Sequence, residues 1–297
     1  MKLLTSILTA VGITAAFSTL FGNRYLSVDK YVTVCRRLPK GANGKKIVLL
    51  ADLHKKKFGR DYCCLADSVR ACEPDVIIFA GDLYSRNDRH RGRTLKLMKE
   101  LTEIAPVYYS PGNHELFDPE YYAVTVGRLD AMGVRVLNNE RCELKFGEDS
   151  VDLYGLKLPL RYYINRDYTF HDLPRPSQAV LEDLLGRPDP DRCSLLIAHD
   201  PLFFEEYARW GADMVFSGHV HGGLIRLPFL GGLLSPERKF FPEYTKGLYR
   251  LGTSVMALTS GLGKFRFNNP SQVMCLELWN REKKPRHPKG APWDIGQ

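Results

Sequence analysis

The stretch Lys46-Ile47-Val48-Leu49-Leu50-Ala51-Asp52-Leu53-His54 opens on an unbroken apolar run and closes on polar residues that a sheet core would reject. A short continuous run of Ile, Val and Leu suits a strand buried on both faces. In extended chain, residues two apart point to the same side, so Asp52 and His54 can share a target. Downstream, Asp75 to Ala80 and Val107 to Tyr109 repeat the pattern and end in Gly81-Asp82 and Gly112-Asn113-His114-Glu115. Asp61 to Glu73, stopped by Pro74, and Arg93 to Ile104 read as helices, and another helix starts near Pro119. Strands alternating with helices predict an α/β sheet with both faces covered, and ligands of such sheets gather at the carboxyl ends of the strands.

Further strand runs follow at Val134–Leu137, Val151–Tyr154, Leu195–Ala198, Met214–Phe216, Val255–Thr259 and Val273–Leu278. Fewer helices separate them, which predicts mixed pairing and two sheets packed together. Two of these runs also close on polar residues, at His199 and at Gly218-His219-Val220-His221. Taken singly, a Gly-Asp is a turn and a histidine is a hydrogen-bonded core or surface residue. The ordered set, each member closing a strand, collects carboxylates, an amide oxygen and imidazoles without thiolate. Such donors suit Mn, Fe, Zn or Co, and they exceed what one ion needs, which predicts a pair of divalent ions with Asp82 as the natural bridge. His90, His171 and His287 lie outside these blocks and read as ordinary histidines.

These five blocks, D-x-H, GD, GNHE, H and GHxH, resemble the signature of the calcineurin-like metallophosphoesterases over roughly Lys46 to Leu278. The resemblance implies a four-layer αββα sandwich of two mixed sheets flanked by helices, with a dinuclear centre. It implies one metal held by Asp52, His54, Asp82 and His221, and another by Asp82, Asn113, His199 and His219. His114 matches the family's catalytic histidine that binds no metal. It would protonate the departing oxygen, its ring held by Glu115 or another carboxylate, after attack by a metal-activated water. A narrower likeness follows in His221-Gly222-Gly223-Leu224-Ile225-Arg226-Leu227-Pro228, then Gly231-Gly232 and Gly247-Leu248-Tyr249. It is similar to membrane-associated bacterial phosphodiesterases of this family, a branch linked to UDP-2,3-diacylglucosamine pyrophosphatase activity. Leu224, where glutamine is usual, and Asp200 after His199 depart from that branch.

The rest of the chain bears on partners and place. A net charge of +8 leans toward anionic partners: phosphates, acidic lipids or nucleic acid. The resemblance to the membrane-associated branch implies a phosphorylated small molecule or a lipid-linked substrate. No stacking aromatic pattern supports nucleic acid. Seven cysteines without a C-x-x-C pair speak against a zinc knuckle or a thioredoxin-like site and for reduced thiols. Leu3 to Gly22 carries no charge and has the length of a membrane-spanning helix, giving an N-terminal anchor at residues 1–24. The alternative is a signal peptide cleaved near Thr14-Ala15-Ala16. Arg24, Lys30, Arg36, Arg37 and Lys40 beyond it place the catalytic domain on the cytoplasmic side by the positive-inside rule. A linker at 25–45, the phosphoesterase domain at 46–280 and a basic flexible tail at 281–297 complete the expected organisation.

Two basic clusters flank the blocks: Lys55, Lys56 and Lys57, then Arg86, Arg89, Arg91 and Arg93. With Arg226, the residues Lys55, Lys56, Arg86 and Arg89 are candidates to bind a substrate phosphate, or else they form solvated loops. Leu224 to Phe241 is apolar and aromatic, fitting either contact with acyl chains or plain packing. Leu158 to Pro176, with Tyr162, Tyr163 and Tyr168, reads as a lid or an irregular insertion. The competing functions are a phosphomonoesterase or protein phosphatase with the same metals, and a non-catalytic metal-binding scaffold.

Overall fold

The computed structural model describes residues 25–280, apart from 89, 171, 224, 228–230, 235–239 and 264–267. The expected anchor, the basic tail and Arg89 lie outside the described residues. Among the described residues no helix is long and apolar enough to cross a membrane.

Two mixed six-stranded sheets form the frame. β1 (Leu26–Val34), β2 (Lys46–Leu50), β3 (Val76–Ala80), β4 (Val107–Ser110) and β5 (Arg135–Val136) enter the first. β6 (Glu140–Phe146), β7 (Asp149–Leu156), β8 (Ser194–Ala198) and β9 (Met214–Ser217) enter the second. An antiparallel hairpin of β10 (Ile225–Leu227) and β11 (Gly231–Leu234) stands apart. β12 (Gly247–Leu251) and β13 (Ser254–Leu258) then extend the second sheet, and β14 (Ser271–Trp279) returns to the first. The spatial orders are β1-β14-β2-β3-β4-β5 and β12-β13-β9-β8-β7-β6.

The alternation of buried side chains explains the layering. On β2, Ile47 and Leu49 face a core shared with Leu195 and Ile197 of β8 and Phe216 of β9. Val48 and Leu50 face the opposite way, into a core with Leu65, Val69, Met98 and Leu101 from helices Cys63–Arg70 and Thr94–Thr102. The outer face of the second sheet, Leu196, Val215 and Met256, packs on Leu181, Phe204 and Trp210 of helices Gln178–Leu185 and Phe204–Trp210. Apolar residues on both sides of a parallel strand are what makes β2, β3 and β8 read as unbroken runs.

Within the first sheet β2 to β5 run parallel, and within the second so do β13, β9, β8 and β7. Backbone and side-chain hydrogen bonds join the carboxyl ends of the two sets: Leu262 N–H donates to Ala51 O at 2.9 Å, and Ser110 Oγ to Leu156 O at 3.2 Å. The polar strand ends therefore meet along one seam between the sheets.

Three expectations change. Residues 25–45 are not a simple linker, because Leu26–Val34 is a strand in parallel register with β14. The 158–176 insertion is not a free lid: Leu158, Tyr162 and Tyr163 are buried in the outer core, while Tyr168 is 65% exposed. The helix expected from Asp61 begins at Cys63, since Asp61 (φ 49°) and Tyr62 (φ 70°) adopt left-handed backbone that cannot start a right-handed helix.

Candidate metal centre

Strand ends deliver every residue of the centre. Asp52, Asp82 and His219 each lie two residues past their strand, His199 directly follows β8, and Asn113 opens the short helix Asn113–Leu116 after β4. The chain turns sharply at these points. Asp52 (φ 55°), His54 (52°), Asp82 (53°), His219 (71°) and His221 (54°) all take left-handed backbone, which costs a non-glycine residue about 1–3 kcal/mol. Such strain persists only where the surroundings over-determine it, and five of the thirteen such non-glycine residues among the described ones gather at this centre. Two glycines make room. A Cβ on Gly112 would sit 2.3 Å from Asp82 Oδ1, and one on Gly261 2.4 Å from Asp52 Oδ2.

Asp52, Asp82 and His199 are buried, and the other imidazoles rim them. His199 Nε2 lies 3.4 Å from Asp82 Oδ2 and 3.8 Å from Asp52 Oδ1. His54 Nε2 lies 3.7 Å from Asp82 Oδ2, and His221 Nε2 lies 3.9 Å from Asp52 Oδ1 and 3.4 Å from His54 Nε2. Asp52–His54–His221 and Asp82–His199–His219 are two sets whose potential ligand atoms lie within 4.8 Å of one another, and a third set joins His54, Asp82 and His114.

The donor chemistry fits divalent cations. His199 Nδ1 sits 2.6 Å from Ala80 O, and a carbonyl can only accept, so the ring's proton is on Nδ1. Nε2 then turns a lone pair toward two buried carboxylates, a face-to-face arrangement of acceptors that a cation between them resolves. Asn113 Oδ1 is likewise buried without a hydrogen-bond partner. Without such a cation a proton takes its place. Burial pulls the His199 pKa down, but Asp82 and Asp52 outweigh it and hold the ring at about 10. For Asp82, burial favours the neutral acid, yet the imidazoles of His199, His114 and His54 outweigh it and hold the carboxyl well below its usual range.

His114 stands at the rim with Nε2 3.9 Å from Asp82 Oδ2. Its Nδ1 accepts the backbone N–H of Arg86 at 3.1 Å, so a neutral ring carries its proton on Nε2, facing the centre. Glu115, expected to hold this ring, does not, and the carboxylate that faces the ring among the described residues is that of Asp82. Glu115 is fully buried and accepts the backbone N–H groups of Asp82 (2.9 Å) and Gly112 (2.8 Å), stitching the β3 and β4 turns together. Burial, with Asp82 nearby, raises its pKa to about 7.

The candidate substrate residues scatter. Lys55 is exposed and donates to Asn87 O at 2.9 Å. Lys56 does not face the rim: it is 3% exposed, with Nζ 2.6 Å from Ser271 Oγ, and its N–H closes a turn by donating to Leu53 O at 3.1 Å. Arg86 is exposed and stacks 4.4 Å over the Phe117 ring beside His114. Arg226, on β10, donates to Thr245 Oγ1 at 3.5 Å. Asn269, absent from the sequence expectations, holds His221 O at 2.6 Å and Gly223 O at 2.9 Å through Nδ2. Tyr163, expected only as part of a lid or insertion, has its ring centre 5.5 Å from that of His219. One available signal was Thr259-Ser260-Gly261-Leu262-Gly263, which closes β13 as the other blocks close their strands.

Comparison with known proteins places this geometry. The family model described as calcineurin-like phosphoesterase matches residues 45–223, over half of the chain. The metallophosphoesterase YkuE of Bacillus subtilis is 28% identical, over 77% of this chain and 76% of that protein. A transmembrane protein with metallophosphoesterase domain from Danio rerio is 28% identical over 80% of this chain, which spans about half (53%) of that longer protein. The UDP-2,3-diacylglucosamine pyrophosphatase LpxG of Chlamydia trachomatis is 24% identical over 90% of this chain and 97% of its own length.

Proposed function

The chain belongs to the calcineurin-like phosphoesterase family and is a metal-dependent phosphoric ester hydrolase, and on that premise we propose a phosphodiesterase or pyrophosphatase acting on lipid-linked or nucleotide-sugar phosphates. The observation that carries the metal assignment is the pair of neighbouring ligand sets, Asp52–His54–His221 and Asp82–His199–His219, with His54 Nε2 of the first 3.7 Å from Asp82 Oδ2 of the second. In this reading Asp52, His54, Asp82 and His221 hold one divalent ion, and Asp82, Asn113, His199 and His219 hold the other. Bound ions of the Mn, Fe, Zn or Co type supply Lewis-acid activation of water and neutralise phosphoryl charge.

The chain's own residues do the rest. The Ala80 carbonyl fixes the His199 ring with its lone pair inward. His114 serves the departing oxygen through Nε2. The Arg86 amide at Nδ1 keeps the neutral ring's single proton on Nε2, from which the ring would donate a hydrogen bond to the departing oxygen. For full transfer of that proton, Nδ1 would have to take one up and release the amide, so that the ring ends neutral and not as an imidazolate. Arg86, exposed beside His114, is the candidate to meet a substrate oxyanion.

The likeness to LpxG supports a diphosphate-containing, lipid-linked substrate, and the name of the Danio rerio relative supports membrane association. The uncharged stretch Leu3 to Gly22 is the proposed anchor, with the domain on the cytoplasmic side. The test is metal analysis of purified protein, paired with hydrolysis of bis-p-nitrophenyl phosphate, mono-p-nitrophenyl phosphate and UDP-diacylglucosamine in Mn. Turnover of the diester and the diphosphate over the monoester is expected. Preference for the monoester overturns the diesterase reading, and no turnover of UDP-diacylglucosamine removes the lipid-precursor substrate.

A further inference from the structure

Beside the metal centre lies a second polar cavity of about 350 Å³, lined by Lys55 and Lys57 from the loop after β2 and by Asn87, His90 and Arg93 from the loop after β3. Tyr62 and Asp88 complete its lining. We infer that this cavity binds an anionic phosphoryl group of the substrate next to the one being hydrolysed, so that the preferred substrates carry two linked phosphoryl groups. The inference rests on the phosphoesterase reading of the centre and adds the subsite that selects among phosphoesters.

Four observations carry it. The cavity is adjacent to the centre on both sides: Lys55 follows His54 directly, and Asn87 follows Arg86, whose amide holds His114. One residue spans about 3.8 Å between Cα atoms, so the lining begins at Lys55, the chain neighbour of His54, and at Asn87, the neighbour of Arg86. The two loops are tied together, Lys55 Nζ donating to Asn87 O at 2.9 Å, which spends one of three ammonium protons on a neutral carbonyl and leaves the charge. Lys57 and Arg93 are exposed, and Lys55 and Lys57 both line the cavity while Lys56 between them is buried.

Charge decides the ligand class. Two ammonium groups and one guanidinium face one carboxylate, Asp88, whose Oδ1 already accepts the His90 N–H at 2.9 Å. The net balance is positive, and several donors converging on one space suit a multidentate oxyanion better than a carboxylate or a neutral sugar. Phosphoryl oxygens linked to the reacting phosphorus through an anhydride bridge can reach both places at once.

The decisive comparison is Lys57→Ala/Arg93→Ala against wild type, with Lys57→Arg/Arg93→Lys as the charge-keeping control. Two readouts are needed. In Mn, kcat/KM on a diphosphate diester such as UDP-diacylglucosamine should fall about tenfold or more from loss of two charge-assisted contacts, with bis-p-nitrophenyl phosphate hydrolysis unchanged and the control near wild type. In metal-free protein, titrated inorganic phosphate should shift the amide resonances of His90 and Arg93 in wild type and not in the alanine variant. Equal loss on both substrates, no loss on either, or no phosphate-induced shift in wild type overturns the inference. Failure of wild type to hydrolyse even bis-p-nitrophenyl phosphate would instead sink the phosphoesterase reading, and the phosphate titration would still decide the cavity.

Discussion

The backbone N–H of His219 donates to both carboxylate oxygens of Asp52, each at 3.1 Å, so a proposed metal ligand on the first sheet also clamps the second. Asp52 thus has a structural duty beside its proposed chemical one, and substitutions can separate them.

Asp52→Asn keeps an oxygen that can accept the His219 amide but loses the charge. Metal affinity should fall by more than about 100-fold, with little change in the melting temperature of metal-free protein. Asp52→Ala loses the clamp as well and should cost about 1–3 kcal/mol of stability. Metal content by elemental analysis, alongside denaturant titration, checks both.

His114→Ala should leave the metal content intact and lower kcat by about 10²- to 10⁴-fold, the range for removing a positioned proton donor. A variant that kept full kcat would show that His114 only fills space at the rim.

Removing the metals by chelation should lower the melting temperature, because bound ligand adds stability by mass action, about 2.7 kcal/mol at a hundred times its dissociation constant. Calorimetry before and after dialysis against chelator, with Mn added back, measures it. A melting temperature indifferent to Mn would remove the two buried carboxylates from the metal site.

Gly112→Ala places a Cβ 2.3 Å from Asp82 Oδ1 and 2.7 Å from Asp82 N, where backbone and a buried carboxylate leave no slack. Overpacking of this kind costs about 1–3 kcal/mol, and metal binding should weaken with it. Gly127→Ala, which meets nothing within 4 Å, is the matched control in the same assays.

What the sequence shows plainly is the set of strands covered on both faces. β2, β3 and β8 bury every position or nearly so, and their apolar runs stop where the polar turns begin. β1 and β6 stayed hidden because they are edge strands. Asp29 and Lys30 interrupt one, and Glu140, Arg141, Glu143 and Lys145 interrupt the other, so neither gives an apolar run. Residues proposed to bind through their own side chains, such as His199 and His221, carry a chemical signature. Asn269 acts by holding the carbonyls of His221 and Gly223 from 48 and 46 residues away, and no local pattern announces that. Lys56 shows the opposite failure, a residue of the expected type that is buried.

The place of β14 governs when the protein can be finished. This strand, Ser271–Trp279, lies between β1 and β2 and is the last described strand in chain order. During synthesis β2, which carries Asp52 and His54 at its end, has β3 beside it early, but its other edge stays open until residue 279 has left the ribosome. β1 waits equally long, since β14 is its neighbour in the sheet. The first sheet therefore closes only after β14 has been made, and the nascent protein carries an unpaired apolar edge beside half of its proposed hydrolytic centre until then.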